Sequence, residues 1–324
     1  MTEPSTVEQY PPGLGPTEPP TRNGKLSTFL GLGNVGVYLV WGAVPGVLLG
    51  LQLQGIDAAH KEQNLAIVIT VGSVVATFAQ PLWGMLSDRT RSEFGRRSPF
   101  LVGCAVLGAV SLVGMATAGS VLTLAVWWCL VQALVTGVQG TLSAVLPDRV
   151  PVTARGTAAA ALGFGSMVGL MGGQILASSL GTLSYLVPYG ILAGALVTLI
   201  VMFVVVNPDR PSTGEPREPF SARVVLGTFW VSPRRHPDFV WAVLARLLLM
   251  FGYFMVSGYL FYILQDYVDL GREGALAAVP VMALCALGGM AASIFVTGRL
   301  SDRYGRRKPF VAAASALMGL GMFV

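Results

Sequence analysis

Nine long apolar runs, separated by polar loops, constrain the fold of this chain more than any other feature. A helix needs roughly 20 predominantly apolar residues to cross the hydrocarbon core of a bilayer. The composition agrees, because only 11% of the residues are charged, whereas soluble domains carry about 25%. The sequence therefore predicts an all-α membrane protein. Its expected spans are 28–50, 64–86, 100–118, 121–144, 157–178, 185–206, 238–264, 275–297 and 309–324.

Lysine and arginine are unevenly divided between alternate loops. Eighteen of them lie in the N-terminal tail and in the loops after the second, fourth, sixth and eighth runs, whereas the intervening loops hold only Lys61 and Arg272. Loops rich in Lys and Arg stay on the cytoplasmic side of a membrane. We therefore expect a multi-pass protein of the cell (plasma) membrane with a cytoplasmic N-terminus. The net charge of +5 reflects this topology, and no nucleic-acid partner is expected.

The order of apolar and polar segments predicts four regions. Residues 1–27, rich in proline, form a disordered cytoplasmic tail, and residues 28–206 form an N-terminal bundle of six helices. Residues 207–237 form a central cytoplasmic loop, and residues 238–324 form a partial C-terminal bundle of helices seven to nine. Because the last apolar run ends at Val324 without a polar segment behind it, we expect a fragment that breaks off within the ninth transmembrane helix.

A strongly basic loop occurs twice. The loop from Gly84 to Phe100 recurs in shortened form from Gly298 to Phe310, and Asp88 and Asp302 occupy matching positions. Two halves that repeat a loop in the same orientation are typical of transporters built from parallel repeats. The glycines permit close approach of helices, the aspartates can accept backbone N–H groups of a neighbouring helix terminus, and the arginines can pair with carboxylates or anionic headgroups.

The second copy, Gly298-Arg-Leu-Ser-Asp-Arg-Tyr-Gly-Arg-Arg, closely resembles the cytoplasmic signature of the major facilitator superfamily, which follows the second helix and is echoed after the eighth. The resemblance implies a fold of two six-helix bundles and loops that hold the cytoplasmic side shut in one conformation. The alternative is that the arginines only set the topology. The residues of this predicted gate are Gly84, Asp88, Arg89, Gly95, Arg96, Arg97, Gly298, Asp302, Arg303, Gly305, Arg306 and Arg307.

The first copy carries four extra residues between Arg89 and Gly95. This longer form looks like the branch of the superfamily that holds glycoside and sucrose cation symporters. The stretch from Gln139 to Asp148 is similar to the end of the fourth helix in that branch. The resemblance therefore points to uptake of a sugar or glycoside-like solute together with H⁺ or Na⁺.

Polar side chains recur at helical spacing on the first, second and fourth spans. A polar face inside lipid must meet another helix or water, so three such faces predict a shared aqueous cavity. Amide and hydroxyl groups beside aromatic rings suit a polyol. The alternatives are hydrogen bonds between helices without a ligand and, for Ser and Thr, bonds to their own backbone. The cavity candidates are Asn34, Tyr38, Trp41, Gln80, Gln132, Thr136 and Gln139, joined from the seventh span by Tyr253 and by Arg246, which can instead snorkel to the surface.

Small residues form ridges on two later spans, Gly165, Gly169 and Gly173 on the fifth and Gly288 with Ala292 on the eighth. Such ridges allow close packing, and the resemblance places these helices at the interface between the halves. We expect them to slide against each other there.

The first six spans carry no Asp or Glu at depth, although proton symport usually needs a buried carboxylate with a raised pKa. The helix-four aspartate of sucrose transporters corresponds to Gln132 here, and a later arginine corresponds to Ser143. Both departures weaken the expectation of proton coupling.

Together these features predict a secondary active transporter that works by alternating access, not an enzyme, with no cofactor and no metal site. We expect it to be monomeric, with a small solute and the lipid bilayer as its partners. An exporter of a metabolite or drug is an alternative, and so is a membrane sensor or scaffold that does not transport.

Overall fold

The computed structural model describes residues 21–151, 154–209, 211, 237–304 and 308–321. Every regular element in those residues is a helix, which confirms the predicted all-α class. Two π-helical turns occur, Val44–Leu48 between α1 and α2 and Ile263–Tyr267 after α9. The helices are α1 (Thr21–Ala43), α2 (Leu49–Ile56), α3 (Lys61–Arg89), α4 (Ser98–Ala116), α5 (Val121–Arg149), α6 (Arg155–Leu180), α7 (Leu186–Val206), α8 (Pro237–Ser257), α9 (Leu260–Tyr262), α10 (Gly271–Tyr304) and α11 (Lys308–Gly321).

Seven stretches of the described residues, rather than the nine predicted, are long and apolar enough to span a membrane. The seventh predicted span is shorter because α8 ends at Ser257, before the turn that leads to α9, and its apolar part is Phe239–Gly252. The ninth forms only the 14-residue helix α11. The seven are Gly24–Ile56, Lys61–Arg89, Ser98–Ala116, Val121–Arg149, Arg155–Leu180, Leu186–Val206 and Gly271–Met290.

The first span is longer than predicted at both ends. Helix α1 begins at Thr21, within the predicted tail of residues 1–27, because Leu26 and Ser27 are buried against the bundle and continue the helix. At the other end the helical chain runs on to Ile56, since Gln52 and its neighbours are also buried. Pro45 lies in the intervening π-helical turn, where its missing N–H interrupts the α-helical hydrogen bonds. Residues 1–20, and most of the predicted loop 207–237, lie outside the described residues.

Helices α1 to α7 pack around one apolar core. Helix α1 lies against α6 and α7, α3 against α5, and α4 against both α5 and α7. Fully buried side chains such as Leu30, Trp128 and Leu196 fill the space between them. The polar groups at the ends are also paired, for example at Ser120, whose hydroxyl caps α5 by accepting the N–H of Thr123 at 3.2 Å.

The glycine ridge of the fifth span contacts α1 and not the eighth span, which corrects the prediction. A Cβ at Gly169 would lie 2.6 Å from the carbonyl oxygen of Val35, and Cβ atoms at Gly165 and Gly173 would collide with the backbone of α1. Small residues are required here because the two backbones nearly touch.

The eighth span, α10, does approach α6, but not through its own predicted ridge. A Cβ at Gly288 would meet no described atom within 4 Å, and Ala292 is exposed. The approach lies nearer the start of α10, where Leu276 lies 3.3 Å from the Cβ position of Gly181. The sliding surface predicted at Gly288 and Ala292 is therefore not in contact in this structure.

The molecule has two chemically different ends. The arginine-rich end holds the end of α3, the loop that follows it and the last residues of α5 and α7, including Asp88, Arg97 and Asp148. The opposite end holds the α2–α3 and α6–α7 turns, the π-helical turn after α9 and the start of α10.

Candidate functional site

The polar stripes of α1 and α5 meet at Gln132 on α5, and α3 packs beside them through Gly72. The indole Nε1–H of Trp41 on α1 donates to the Gln132 side-chain oxygen at 3.1 Å. The Tyr38 ring lies edge-on to the Trp41 ring, with centroids 5.1 Å apart. From α3, Gly72 approaches so closely that a Cβ there would lie 3.3 Å from Gln132 Cγ. The structure thus brings together the three spans that the polar periodicity selected.

The polar stripe continues along α5 with Thr136 and Gln139. Thr136 is buried, and the Gln139 amide donates to Ser143 on its own helix at 3.3 Å. The side-chain oxygen of Gln139 is buried without a hydrogen-bond partner among the described residues. Gln80 on α3 lies beside Gly140, with its Cγ 3.9 Å from a Cβ position there. A buried acceptor without a partner is costly, and a hydroxyl-bearing solute could satisfy it.

Asn34 has a different role from the rest of the first stripe. It is buried, and its amide donates to the Leu162 carbonyl oxygen and to the Ser166 hydroxyl on α6, each at 2.7 Å. This pairing between helices is the alternative that the sequence left open. Ser73 and Thr77 on α3 likewise donate to their own helix, at 2.9 and 2.8 Å.

Two tryptophans shape the wall between α3 and α5, and the sequence analysis did not select them. The Trp83 Nε1–H donates to the Ala133 carbonyl oxygen at 2.8 Å, and its ring fills the space over Gly137. Trp128 lies over Gly72, and its buried Nε1–H has no partner among the described residues. Glycines opposite large aromatic residues on neighbouring spans were the available signal.

Of the candidates of the seventh span, only Arg246 has a described side chain, and it lies outside this group. Arg246 on α8 is exposed, and the side chain of Tyr253 lies outside the described part of the structure. Among the described residues no three His, Cys, Asp or Glu side chains are grouped so that they could hold a metal ion.

At the arginine-rich end, Arg97 is the centre of an ion-pair cluster. Its guanidinium contacts Asp148 at 2.6 Å and Asp88 at 3.1 Å, and its side chain is only 9% exposed. Arg96 also pairs with Asp148, at 2.8 Å. The cluster ties the end of α3 to the end of α5, so its contacts among the described residues lie within α1–α7.

Asp148 and Asp209 contact the first loop, and the predicted gate did not include them. The backbone N–H of Arg97 donates to the Asp209 carboxylate at 3.0 Å, which fixes the start of α4 beside the end of α7. Gly95 makes this possible, because its φ of +89° suits glycine and a Cβ there would collide with Asp209. The signal in the sequence was the position of these two aspartates, just after the fourth and sixth spans.

The other predicted gate residues are placed as follows. A Cβ at Gly84 would meet no described atom within 4 Å, so the expected close approach of helices does not occur there in this structure. Arg89 ends α3. Gly298, Asp302 and Arg303 belong to the last turns of α10, with side chains that are not described, and the remaining residues Gly305, Arg306 and Arg307 lie outside the described residues.

At the opposite end the carboxylate of Asp57 organises the α2–α3 turn. It accepts the side-chain amide of Asn64 at 3.1 Å and the backbone N–H of His60 at 3.2 Å. Desolvation raises the pKa of Asp57, but the hydrogen bonds from Asn64 and His60 outweigh it and hold that pKa below its ordinary value.

Seven long apolar helices and a polar junction between three of them define a multi-pass membrane protein. The family model of the Major Facilitator Superfamily matches residues 28–324. The chain belongs to this superfamily. A search of the curated proteins found no significant match.

Solved structures share the fold. The chain is similar to a bacterial homologue of the human lysosomal transporter Spinster in its inward-facing and unoccupied conformation, with a TM-score of 0.55 and 14% identity over 89% of this chain and 64% of that one. The occupied form of the same homologue also has a TM-score of 0.55, with 13% identity over 89% and 63%. A peptide transporter, POT, in complex with sulfate has a TM-score of 0.48 and 17% identity over 74% and 50%. The chain thus spans less than two thirds of the length of these structures.

Proposed function

We propose that this protein is a secondary active transporter that imports a sugar or glycoside-like solute with a cation by alternating access. The observation that carries this proposal is the junction at Gln132, where Trp41 and Tyr38 of α1 meet α5 beside Gly72 of α3. Transporters of parallel repeats bind their solute near the midplane between the halves. The junction supplies the α1–α7 side of such a site.

The chemistry of the junction favours a neutral polyhydroxylated solute. Glutamine offers both a donor and an acceptor to a hydroxyl group, and Gln139 holds a buried oxygen that lacks a partner in the described residues. Aromatic rings such as Tyr38 and Trp41 can cover the apolar face of a sugar ring. The first six predicted spans carry no Asp or Glu at depth, so these helices offer no carboxylate counter-ion to a cationic solute.

The proposal also assigns orientation and a gate. The arginine-rich end faces the cytoplasm, following the distribution of Lys and Arg, and the protein resides in the plasma membrane. The loop around Asp88 and the second loop around Asp302 open and close this end. The fixed cluster of Arg97, Asp148 and Asp209 supports the first loop.

Uptake into proteoliposomes tests the proposal. Vesicles with an imposed H⁺ or Na⁺ gradient are given a panel of labelled disaccharides and glycosides, and we expect at least one to accumulate in a gradient-dependent way. Gln132→Ala removes the Trp41 bond and should lower uptake about tenfold, which corresponds to about 1.4 kcal/mol for a buried hydrogen-bonding group. Thr77→Ala is the matched control, because the Thr77 hydroxyl bonds only its own helix.

Other outcomes favour the alternatives. Gradient-driven accumulation in inverted vesicles, without accumulation in right-side-out vesicles, would make the protein an exporter of a metabolite or drug. No flux of any panel member in either direction, with intact folded protein, would contradict transport of sugars and favour a sensor or scaffold. Equilibration of the solute across the membrane at a rate that neither gradient changes would contradict only the cation coupling.

A further inference from the structure

An ion pair joins the two halves of the chain at the opposite end. The Lys61 ammonium at the start of α3 contacts the Asp266 carboxylate, 205 residues along the chain, at 2.5 Å. The same ammonium lies 4.9 Å from the centroid of the Tyr262 ring, within range of a cation–π interaction. The Lys61 side chain is 15% exposed and that of Asp266 is 44% exposed.

Tyr262 connects this ion pair to the first span. Its hydroxyl donates to the carbonyl oxygen of Gly50 on α2 at 2.9 Å, and both residues are buried. Phe261 packs on the same glycine, 3.6 Å from its Cβ position. The first, second and seventh spans therefore converge on one cluster, which we call the latch and which consists of Lys61, Tyr262, Asp266 and Gly50.

A second contact between the halves has its basic residue in the second half. Arg272, near the start of α10, lies close to the Tyr185 side chain beside the start of α7. Lys61 and Arg272 are the only Lys or Arg residues in the loops of this end. Both reach from one half of the chain to the other, although neither is needed there to set topology, because the positive-inside rule concerns the other side.

Two of the three spans that meet at the latch contain a π-helical turn next to it. Val44–Leu48 ends two residues before Gly50, and Ile263–Tyr267 contains Asp266. Helix α9, which carries Tyr262, contacts the first of these turns. A π-helical turn interrupts the regular ladder of hydrogen bonds and is frequent at functional sites. The points where these helices can bend therefore lie beside the latch.

The partial exposure of the ion pair makes it reversible. A fully buried pair leaves an uncompensated charge when it separates, which is strongly unfavourable. Asp266 already faces water, so the separated charges can be hydrated at small cost. Glu62 lies near Tyr259 and Tyr262, whereas Asp57 bonds His60 and Asn64 within its own turn.

We propose that the latch holds this end of the molecule closed and separates when it opens to the outside. Lys61 and Asp266 are positioning residues that set the balance between the open and closed forms. The inference rests on the proposed alternating access, but it makes a prediction that requires no solute.

Thiol labelling tests the latch directly. The native Cys104, Cys129 and Cys285 are replaced by alanine, and Ile69→Cys introduces a reporter on α3, since Ile69 lies 3.9 Å from the Cβ position of Gly258 in the seventh span. The rate of reaction with a membrane-impermeant maleimide is measured in intact cells. Lys61→Ala and Asp266→Asn should each raise the rate about two- to fivefold, the range expected from losing a partly exposed pair.

The charge-exchanged variant, Lys61→Asp with Asp266→Lys, should return the rate towards that of the parent. His60→Gln is the matched control and should leave it unchanged, because His60 is exposed and its contacts stay within its own turn. Size-exclusion profiles and thermal unfolding verify that each variant is folded. Unchanged labelling in both single variants, or no restoration in the exchanged pair, would overturn the latch. Labelling that responds as expected in a protein without sugar flux would uphold the latch and contradict only the proposed substrate.

Discussion

The two ends of the molecule use ion pairs for opposite purposes. At the arginine-rich end, Arg97 is nearly buried and binds carboxylates of the same half of the chain. At the opposite end, Lys61 reaches the other half and its partner Asp266 is partly exposed. A buried cluster within one bundle fixes its geometry, whereas a partly hydrated pair between bundles can open. The comparison indicates that location relative to the two halves, more than the number of charges, decides which pairs can move.

The largest expected effect is the loss of Arg97. Arg97→Ala leaves Asp88 without the cation that pairs with it and Asp148 with Arg96 alone, and it should destabilise the protein by about 2–4 kcal/mol. The expected loss is smaller than that for breaking a fully buried ion pair, because the Asp148 side chain is 30% exposed. Thermal unfolding in detergent measures the change. Arg96→Ala, at a side chain 31% exposed, should cost about 1 kcal/mol or less, and equal losses in the two variants would contradict the central place of Arg97.

The second-largest expected effect is a difference in stability between alanine substitutions at two glycines, Gly95 and Gly84. Gly95→Ala forces a Cβ into Asp209 at a positive φ and should destabilise the protein by about 1–3 kcal/mol. Gly84→Ala adds a methyl group where no described atom lies within 4 Å, so stability should stay the same or rise by about 0.5–1 kcal/mol. The same thermal measurement decides this contrast. A greater loss of stability in Gly84→Ala than in Gly95→Ala would contradict this contrast. It would support the close helix contact at Gly84 that the sequence pattern predicts.

Separating the latch should affect stability less than either change. Lys61→Ala removes one partly exposed pair and should lower the free energy of unfolding by about 1 kcal/mol or less, while clearly altering accessibility at Ile69. Chemical denaturation beside the labelling assay checks both quantities in one preparation. A loss as large as that of Arg97→Ala would mean that the opposite end is held as rigidly as the arginine-rich end.

The smallest effect concerns pH. The pKa of Asp57 is lowered in the folded protein, so its contribution is present above its unfolded pKa and is lost as the pH falls through the lower folded value. The difference in stability between the parent and Asp57→Asn should therefore narrow in strongly acidic solution. Unfolding curves from neutral to acidic pH measure it, and a difference that widens with acidity would reverse the assigned sign.

Sequence patterns predicted what depends on local spacing. Hydrophobic periodicity gave the helices, and the polar period selected Trp41 and Gln132, which do meet. The same period could not separate Trp41 from Asn34, because the neighbour of each side chain depends on how the helices are rotated against each other. Asn34 bonds α6, not the junction.

Long-range partners were beyond the reach of the sequence. The pairing of Lys61 with Asp266 spans 205 residues, and Asp209 joins Arg97 only because α4 and α7 pack together. The glycine ridge on the fifth span was recognised correctly as a packing surface, but its neighbour is α1. Spacing identifies which face of a helix is special, and the tertiary fold decides what that face meets.

Distances between spin labels provide the most direct test of the difference between the two ends. One pair of labels replaces Ala59 and Tyr267 at the opposite end, and a second pair replaces Phe94 and Pro208 at the arginine-rich end, all at exposed positions. Double electron–electron resonance then measures both distance distributions in the parent and in Asp266→Asn. We predict that the Ala59–Tyr267 distribution shifts to longer distances while the Phe94–Pro208 distribution stays unchanged. An unchanged first distribution, or an equal shift in both, would contradict a movable latch opposite a fixed cluster.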